Sequence, residues 1–444
     1  MELMNWVHSN ALLVSTAILI VAYIFIAAEK IPKTVVALIG GGLTLVLGLL
    51  SQYQRTEDGA LDPHYFINFV DFNVVFLLVS MMIIVSIATK SGMFTWVANE
   101  MLKQTKGKPI AIFVALAVFT AVASAFLDNV TTVILVMPIT FAIAKELDIN
   151  PVPLLITEII SSNIGGTATL IGDPPNIIIG SIGGLSFMDF IKELTVCVAV
   201  ILVVVVALLA FIFRKQLVTT PEKMAKVAAL DNSKTITDKF LLCRSLIVLL
   251  CVILGFVLHD ITHIQTCVTA MIGASVLLLF EKPAKIFEEV EWSTIFFFIG
   301  LFIIIGGFEA AGGIKLMADW ILAVTGGNEL TTANIIIWCS GILSGIIDNI
   351  PYTATMAPML SEIQAIKGVD YTYPLWWCLA LGACLGGNMT IIGAAANVIV
   401  SETAAGKGHP IRFMYYLKYG VLVTLISLAI STAYIYFRFY NHAV

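Results

Sequence analysis

Two copies of one short pattern set an acid and an amide side by side within apolar sequence. The first reads Ser124-Ala-Phe-Leu-Asp128-Asn129-Val-Thr131-Thr and runs on to Pro138. The second reads Ser344-Gly-Ile-Ile-Asp348-Asn349-Ile-Pro351-Tyr-Thr and runs on to Pro358. Each is followed by a glycine-rich break: Gly165-Gly-Thr-Ala-Thr169-Leu-Ile-Gly172-Asp173-Pro-Pro-Asn176 in one case, Gly386-Gly-Asn-Met-Thr390-Ile-Ile-Gly393-Ala-Ala-Ala-Asn397 in the other. From the Asp to the closing Asn is 48 positions in the first copy and 49 in the second. Carboxylates hold cations or protons, and amide and hydroxyl oxygens can complete a cation's shell. Matched helix interruptions carrying such groups in two halves of an apolar chain point to a transporter's binding site.

An Asp inside a membrane helix costs about 2.5–3.5 kcal/mol on insertion scales, which makes Asp128 and Asp348 functional candidates. Both also suit the N-cap of a following helix, as do Asn129 and Asn349, and Pro351 suits a first turn. An amide alone would cap without the charge, so ion or proton binding is expected beside capping. Asp128, Asn129, Asp348 and Asn349 are the expected Na⁺ ligands, with Thr131 next to them.

At the breaks, paired glycines allow unusual torsions, and Pro174-Pro175 removes two N–H donors. Half-helices starting near Asn176 and Asn397 would aim their positive ends at the centre, while freed carbonyls of the other halves would suit Na⁺. Thr169, Gly172, Asn176, Thr390, Gly393 and Asn397 are therefore expected at the substrate or ion site. Asp173 has Ala394 opposite it. It serves either as a helix cap or as a coupling charge, and the sequence leaves both open. Glu158 and Glu309 are candidate relay acids, whereas Asp71 and Glu291 mark span ends.

Positioning these groups takes a membrane scaffold, and the composition supplies one. Hydrophobic residues make up 59% and charged residues 12%, against roughly 25% charged in a soluble domain. Apolar runs at 11–28, 34–50, 72–89, 194–213 and 415–437 have the length needed to cross a core of about 30 Å. The opening Met-Glu-Leu-Met-Asn-Trp lacks a basic segment, so a cleaved signal peptide is not expected. Seven cysteines without a Cys-x-x-Cys pattern suit packing over disulfides or zinc. Cys378 and Cys384 are the pair nearest a break, where a thiophilic metalloid is the minor alternative to packing. The six histidines fall in terminal or loop sequence. No nucleotide-binding loop is present, which argues against ATP-driven pumping by this chain. No cofactor is expected apart from Na⁺ or H⁺ as coupling ion, and no nucleic acid partner.

The repeat extends past the motifs, since 71–98 aligns with 291–318. The expected fold is an all-α polytopic membrane protein of two inverted repeats, each with five transmembrane helices and one re-entrant hairpin, with two broken helices. The first repeat spans 1–215, with its hairpin at 109–146 and its broken helix at 152–182. A cytoplasmic linker covers 216–242. The second repeat spans 243–444, with its hairpin at 333–366 and its broken helix at 372–403. Amphipathic stretches at 94–102 and 314–324 should lie along the interface. With both hairpins re-entrant and the N-terminus outside, Lys and Arg divide 19 inside to 5 outside, as the positive-inside rule requires. Lys33, Lys108 and Lys234 fall inside, Arg55 and Lys367 outside, and both termini are expected to be periplasmic. Irregular backbone at the hairpin tips is tolerated at that depth only where it is buried or lines a cavity.

Taken together, the four motifs resemble the ArsB/NhaD permeases of the ion transporter superfamily, and within it bacterial relatives of the melanosomal P protein. The likeness covers nearly the whole chain. It implies a homodimer whose protomers each have a scaffold and a transport part moving as an elevator. Sodium-coupled dicarboxylate and citrate carriers of the same superfamily have Ser-Asn-Thr at the tips, where this chain has Asp-Asn. That departure favours cation or proton chemistry over carboxylate transport. The expected function is secondary active transport of a small ion in a bacterial inner membrane, foremost Na⁺/H⁺ antiport. The alternative is a proton-coupled permease for arsenite, antimonite or an organic anion. A channel suits paired hairpins less well, and no nucleophile–base set suggests an enzyme.

Overall fold

The computed structural model describes residues 2–54, 62–228, 232 and 235–441; Arg55 and Lys234 of the charge division lie outside them. Among the described residues every regular element is a helix. Eight are long and apolar enough to cross a membrane. Two of these, Asn129–Leu147 and Glu329–Ile347, fall in the segments that the sequence assigns to hairpins.

The two halves run through their helices in the same order. Ala11–Ala28, Lys33–Val46, Phe72–Lys90 and Met93–Gln104 open the first, and Lys239–Val257, Thr266–Leu278, Trp292–Ala310 and Gly313–Thr325 open the second. Gly92 and Gly312, at φ 80° and 85°, make the left-handed turns that join each third helix to its amphipathic successor. Next come the hairpins, Pro109–Ser124 with Asn129–Leu147 and Glu329–Ile347 with Asn349–Lys367. The broken helices follow as Val152–Gly166 with Pro174–Gly183 and Val369–Gly386 with Ala395–Gly406. Phe187–Phe213 and Phe413–Ile435 close the halves.

Several expected boundaries move, the second broken helix from 372–403 to 369–406 among them, and three others for a local reason. The 34–50 run stops at Val46, where Gly48 turns the chain at φ 68°; at 1.5 Å per residue this helix is about 21 Å long. The second hairpin starts at Glu329, not 333, because Asn328 accepts from the Thr331 N–H at 2.9 Å. The 216–242 linker contains the helix Pro221–Ala228, and the next helix begins at Lys239. There Asp238 accepts from the N–H groups of Leu241 and Phe240, and those bonds hold its carboxyl below the usual range.

Two helix pairs join the halves. Lys33–Val46 lies against Trp292–Ala310, and Thr266–Leu278 against Phe72–Lys90, so each half's second helix packs on the other half's third. The hairpins instead pack on the broken helices, and Pro174–Gly183 lies against the second hairpin. Close crossings use small residues. A Cβ on Gly300 would sit 2.5 Å from the Ala37 carbonyl carbon, and one on Gly165 would sit 2.0 Å from the Ala121 oxygen.

Candidate functional site

Both hairpin tips are helix starts. Asp128 precedes Asn129–Leu147 and accepts from Thr131 N at 2.8 Å and Thr131 Oγ1 at 2.5 Å. Asp348 precedes Asn349–Lys367, accepts from Ile350 N at 3.0 Å, and adopts φ 103°. That region is sparsely populated for a residue with a Cβ and costs about 1–3 kcal/mol. Capping is thus real at both tips. Asp348 also meets a partner from outside the hairpin: Lys33 Nζ lies 3.3 Å from its Oδ2.

The asparagines beside these caps converge on one carboxylate. Asn129 Nδ2 donates to Asp173 Oδ1 at 3.3 Å, and Asn349 Nδ2 donates to Asp173 Oδ1 and Oδ2 at 3.3 and 3.2 Å. Asp173 is fully buried. Its side chain makes no capping bond although it stands at the N-cap of Pro174–Gly183. The first two helical positions are prolines without N–H, and the third N–H, of Asn176, goes to the Asp173 carbonyl at 2.9 Å. With nothing to cap, the carboxylate turns to the tips. Asn349 therefore bonds to the first break, while its tip meets the second break of its own half through Thr390 and Gly345.

Asn176 and Asn397, expected at the substrate or ion site, donate their amide N–H groups to carbonyls of the breaks. Asn176 Nδ2 donates to the carbonyls of Gly166, Thr167 and Thr169 at 3.3, 3.2 and 2.9 Å. Asn397 Nδ2 donates to those of Gly387 and Thr390 at 2.7 and 2.9 Å. The carbonyls freed by the breaks, expected to suit Na⁺, are thus taken up by amides. Thr169 and Thr390 join break to tip, donating to the carbonyls of Ala125 and Gly345, the latter at 2.6 Å. Gly172 and Gly393 allow this closeness. A Cβ on either would lie 2.6 or 2.7 Å from the carbonyl oxygen of Gly166 or Gly387.

Three participants were not singled out from sequence. Asn163 accepts from Asn129 at 3.2 Å and donates to Asn388 and Asn397 at 2.9 and 3.0 Å, joining the two breaks. Its signal was the polar run Ser161-Ser162-Asn163 in an apolar helix. Asn388 stood inside the second glycine motif, and Lys33 was read only for sidedness. Of the relay candidates, Glu158 is buried and accepts from the Thr140 hydroxyl, with its Oε2 unpartnered among the described residues. Glu309 is exposed near the end of Trp292–Ala310. Cys378 and Cys384 are buried free thiols, and Cys384 Sγ lies 3.4 Å from Asn176 Oδ1. Among the described residues no three His, Cys, Asp or Glu side chains converge as a metal cluster. A cation here would need amide, hydroxyl or carbonyl oxygens alongside a carboxylate.

The family profile described as citrate transporter (CitMHS) matches residues 23–382. A 46 kDa membrane protein of Mycobacterium leprae is 39% identical over 96% of this chain and 98% of its own length. An uncharacterized transporter of Mycobacterium tuberculosis is 40% identical over the same shares. The P protein of Homo sapiens is 30% identical over 95% of this chain and 59% of that longer protein. The crystal structure of the Alcanivorax borkumensis YdaH transporter shares the fold, with a TM-score of 0.58 over 93% of this chain and 96% of that one at 12% identity. A profile spanning most of the chain, relatives alignable end to end and a transporter fold make this multi-pass membrane protein a transporter of the citrate transporter family.

Proposed function

We propose that the chain moves a small cation by secondary active transport, foremost as a Na⁺/H⁺ antiporter, with Asp173, Asn129 and Asn349 at the centre of its binding site. The observation that carries this reading is the single buried carboxylate held by both hairpin tips. Among the described residues the amide oxygens of Asn129 and Asn349 accept no hydrogen bond, which leaves two oxygen donors beside that carboxylate. Charge supports a cation. Three helix starts meet at the tips and Asp173, each worth about +0.5 charge. Three acidic side chains, Asp128, Asp173 and Asp348, face them, and Lys33 is the one basic residue that the described hydrogen bonds and ion pairs bring there.

Asp128, Thr131, Thr169, Asp348 and Thr390 surround that centre in this reading, while Gly172, Gly393, Asn176 and Asn397 shape it. The inverted-repeat domain bounds, the elevator motion, the homodimer, the bacterial inner membrane and the narrower ArsB/NhaD likeness all belong to the same proposal. The two cross-half helix pairs, which pack on one another more than on the hairpins, support a scaffold beside a moving part. The family description names citrate, which makes an organic anion the second reading. A surplus of carboxylates at the tips opposes it.

Purified protein in liposomes, given an imposed Na⁺ or pH gradient, separates the two. Saturable uptake is scored against Na⁺, Li⁺, arsenite and citrate. Proton flux exchanged for Na⁺ or Li⁺ is expected, and citrate uptake without any cation exchange would overturn the cation reading.

A further inference from the structure

We propose that Lys33 is a tethered cation that fills the cargo position of Asp348 in this arrangement, so that an entering cation or proton must displace it. This rests on the cation reading above and adds a residue to it. Lys33 opens Lys33–Val46, a helix that packs chiefly on Trp292–Ala310 and Ala11–Ala28. Its ammonium reaches across to Asp348 Oδ2 at 3.3 Å and lies 5.0 Å from the Phe297 ring centre. Tyr23, from the preceding helix, grips the same hairpin: its hydroxyl donates to the Pro351 carbonyl at 2.6 Å and stands 2.5 Å from Thr355 Oγ1. Asp348 spends one oxygen on its helix cap and the other on Lys33.

Among the described residues the equivalent tip has no such partner. Thr266–Leu278 holds the place of Lys33–Val46 in the second half, and it begins with Gln265 and Thr266. The Asp128 carboxylate accepts only from Thr131 among the described residues. Two aspartates in matching places thus differ in one respect, an ammonium supplied by the scaffold side. Lys33 is a positioning residue here, not a ligand of the cargo.

Displacement conserves charge. Glu29 and Glu291 lie within electrostatic reach of Lys33, and Asp173, Glu29 and the Tyr23 hydroxyl within reach of Asp348. The Lys33 side chain is 28% exposed, against 9% for Asp348. A compact, hydrated ammonium on a flexible stem can swing from one acid to another. One cation arriving at Asp348 would release one ammonium toward Glu29 and Glu291. A hairpin whose Asp348 has no cargo would stay bound to the scaffold, which discourages movement of an empty site.

Hydrogen–deuterium exchange of the full chain in detergent, read over residues 344–355 while Na⁺, Li⁺ or pH is titrated, tests this. Wild type should show faster exchange as the added cation or proton displaces Lys33. Lys33→Gln should exchange fast without ligand and reach its half-effect at roughly fivefold lower cation concentration, as loss of a partly exposed ion pair implies. Lys33→Arg should recover most of the wild-type response, and in Asp348→Asn the Lys33→Gln change should be silent. A wild-type cation response with an unchanged half-point in Lys33→Gln would overturn the tether and leave the cation reading standing. No response to Na⁺, Li⁺ or pH in any variant would overturn both.

Discussion

At the start of Pro174–Gly183 two prolines occupy the positions whose N–H groups a capping carboxylate would take, and Asp173 turns to Asn129 and Asn349 instead. Its Oδ1 accepts from both asparagines, a part that the oxygen of an amide can also take. Asp173→Asn should insert and fold, with a melting temperature close to wild type, yet lose gradient-driven cation flux in proteoliposomes to background. Full flux in that variant would remove Asp173 from the site. The staples behave in the opposite way. Asn176→Ala strips a donor from buried carbonyls, each costing about 1–3 kcal/mol when left unpaired. Thermal unfolding in detergent should therefore show a clear loss of stability for Asn176→Ala and for Asn397→Ala. If either melts like wild type, the break is held by something other than these amides.

Hairpin arms and broken helices touch backbone to backbone, and the glycines at those crossings set how closely they approach. A Cβ on Gly165 would stand 2.0 Å from the Ala121 oxygen, and one on Gly386 would stand 2.5 Å from the Gly341 oxygen. Neither obstacle is a movable side chain. Gly165→Ala and Gly386→Ala should each cost about 1–3 kcal/mol, the usual range for overpacking, seen as lower melting temperature and poorer recovery from membranes. Gly42 is the control, since a Cβ there meets nothing within 4 Å. Gly42→Ala should be neutral, or more stable by up to about 1 kcal/mol through helix propensity. Equal losses at all three positions would point to a general intolerance of glycine replacement.

Across the whole molecule, the element order of the first half returns in the second, and the lysines at hairpin ends give an inverted arrangement a direct test. Lys108 precedes the first hairpin and Lys367 ends the second, and both are exposed. With the native cysteines replaced, Lys367→Cys should react with a membrane-impermeant maleimide on intact cells. Lys108→Cys should react only after permeabilisation. Labelling of both from one side would exclude hairpins that enter from opposite faces.

Apolar run length, the repeated Asp-Asn tips and the paired glycine breaks determined, from sequence alone, a polytopic helical transporter and the segments that meet at its centre. Those features are local: a span needs a certain number of apolar residues, and a break needs glycine or proline where the helix ends. Partner choice was not local. Asp128, Asp173 and Asp348 are all acids in apolar sequence, and only the packed chain makes Asp173 the shared acceptor of both tips while joining Asp348 to Lys33, 315 positions away. Asn176 and Asn397 likewise became staples because the carbonyls freed by each break lie within reach of the amide that closes it. A buried polar group must find a partner, but sequence does not say which; the crossing of helices from the two halves decides that.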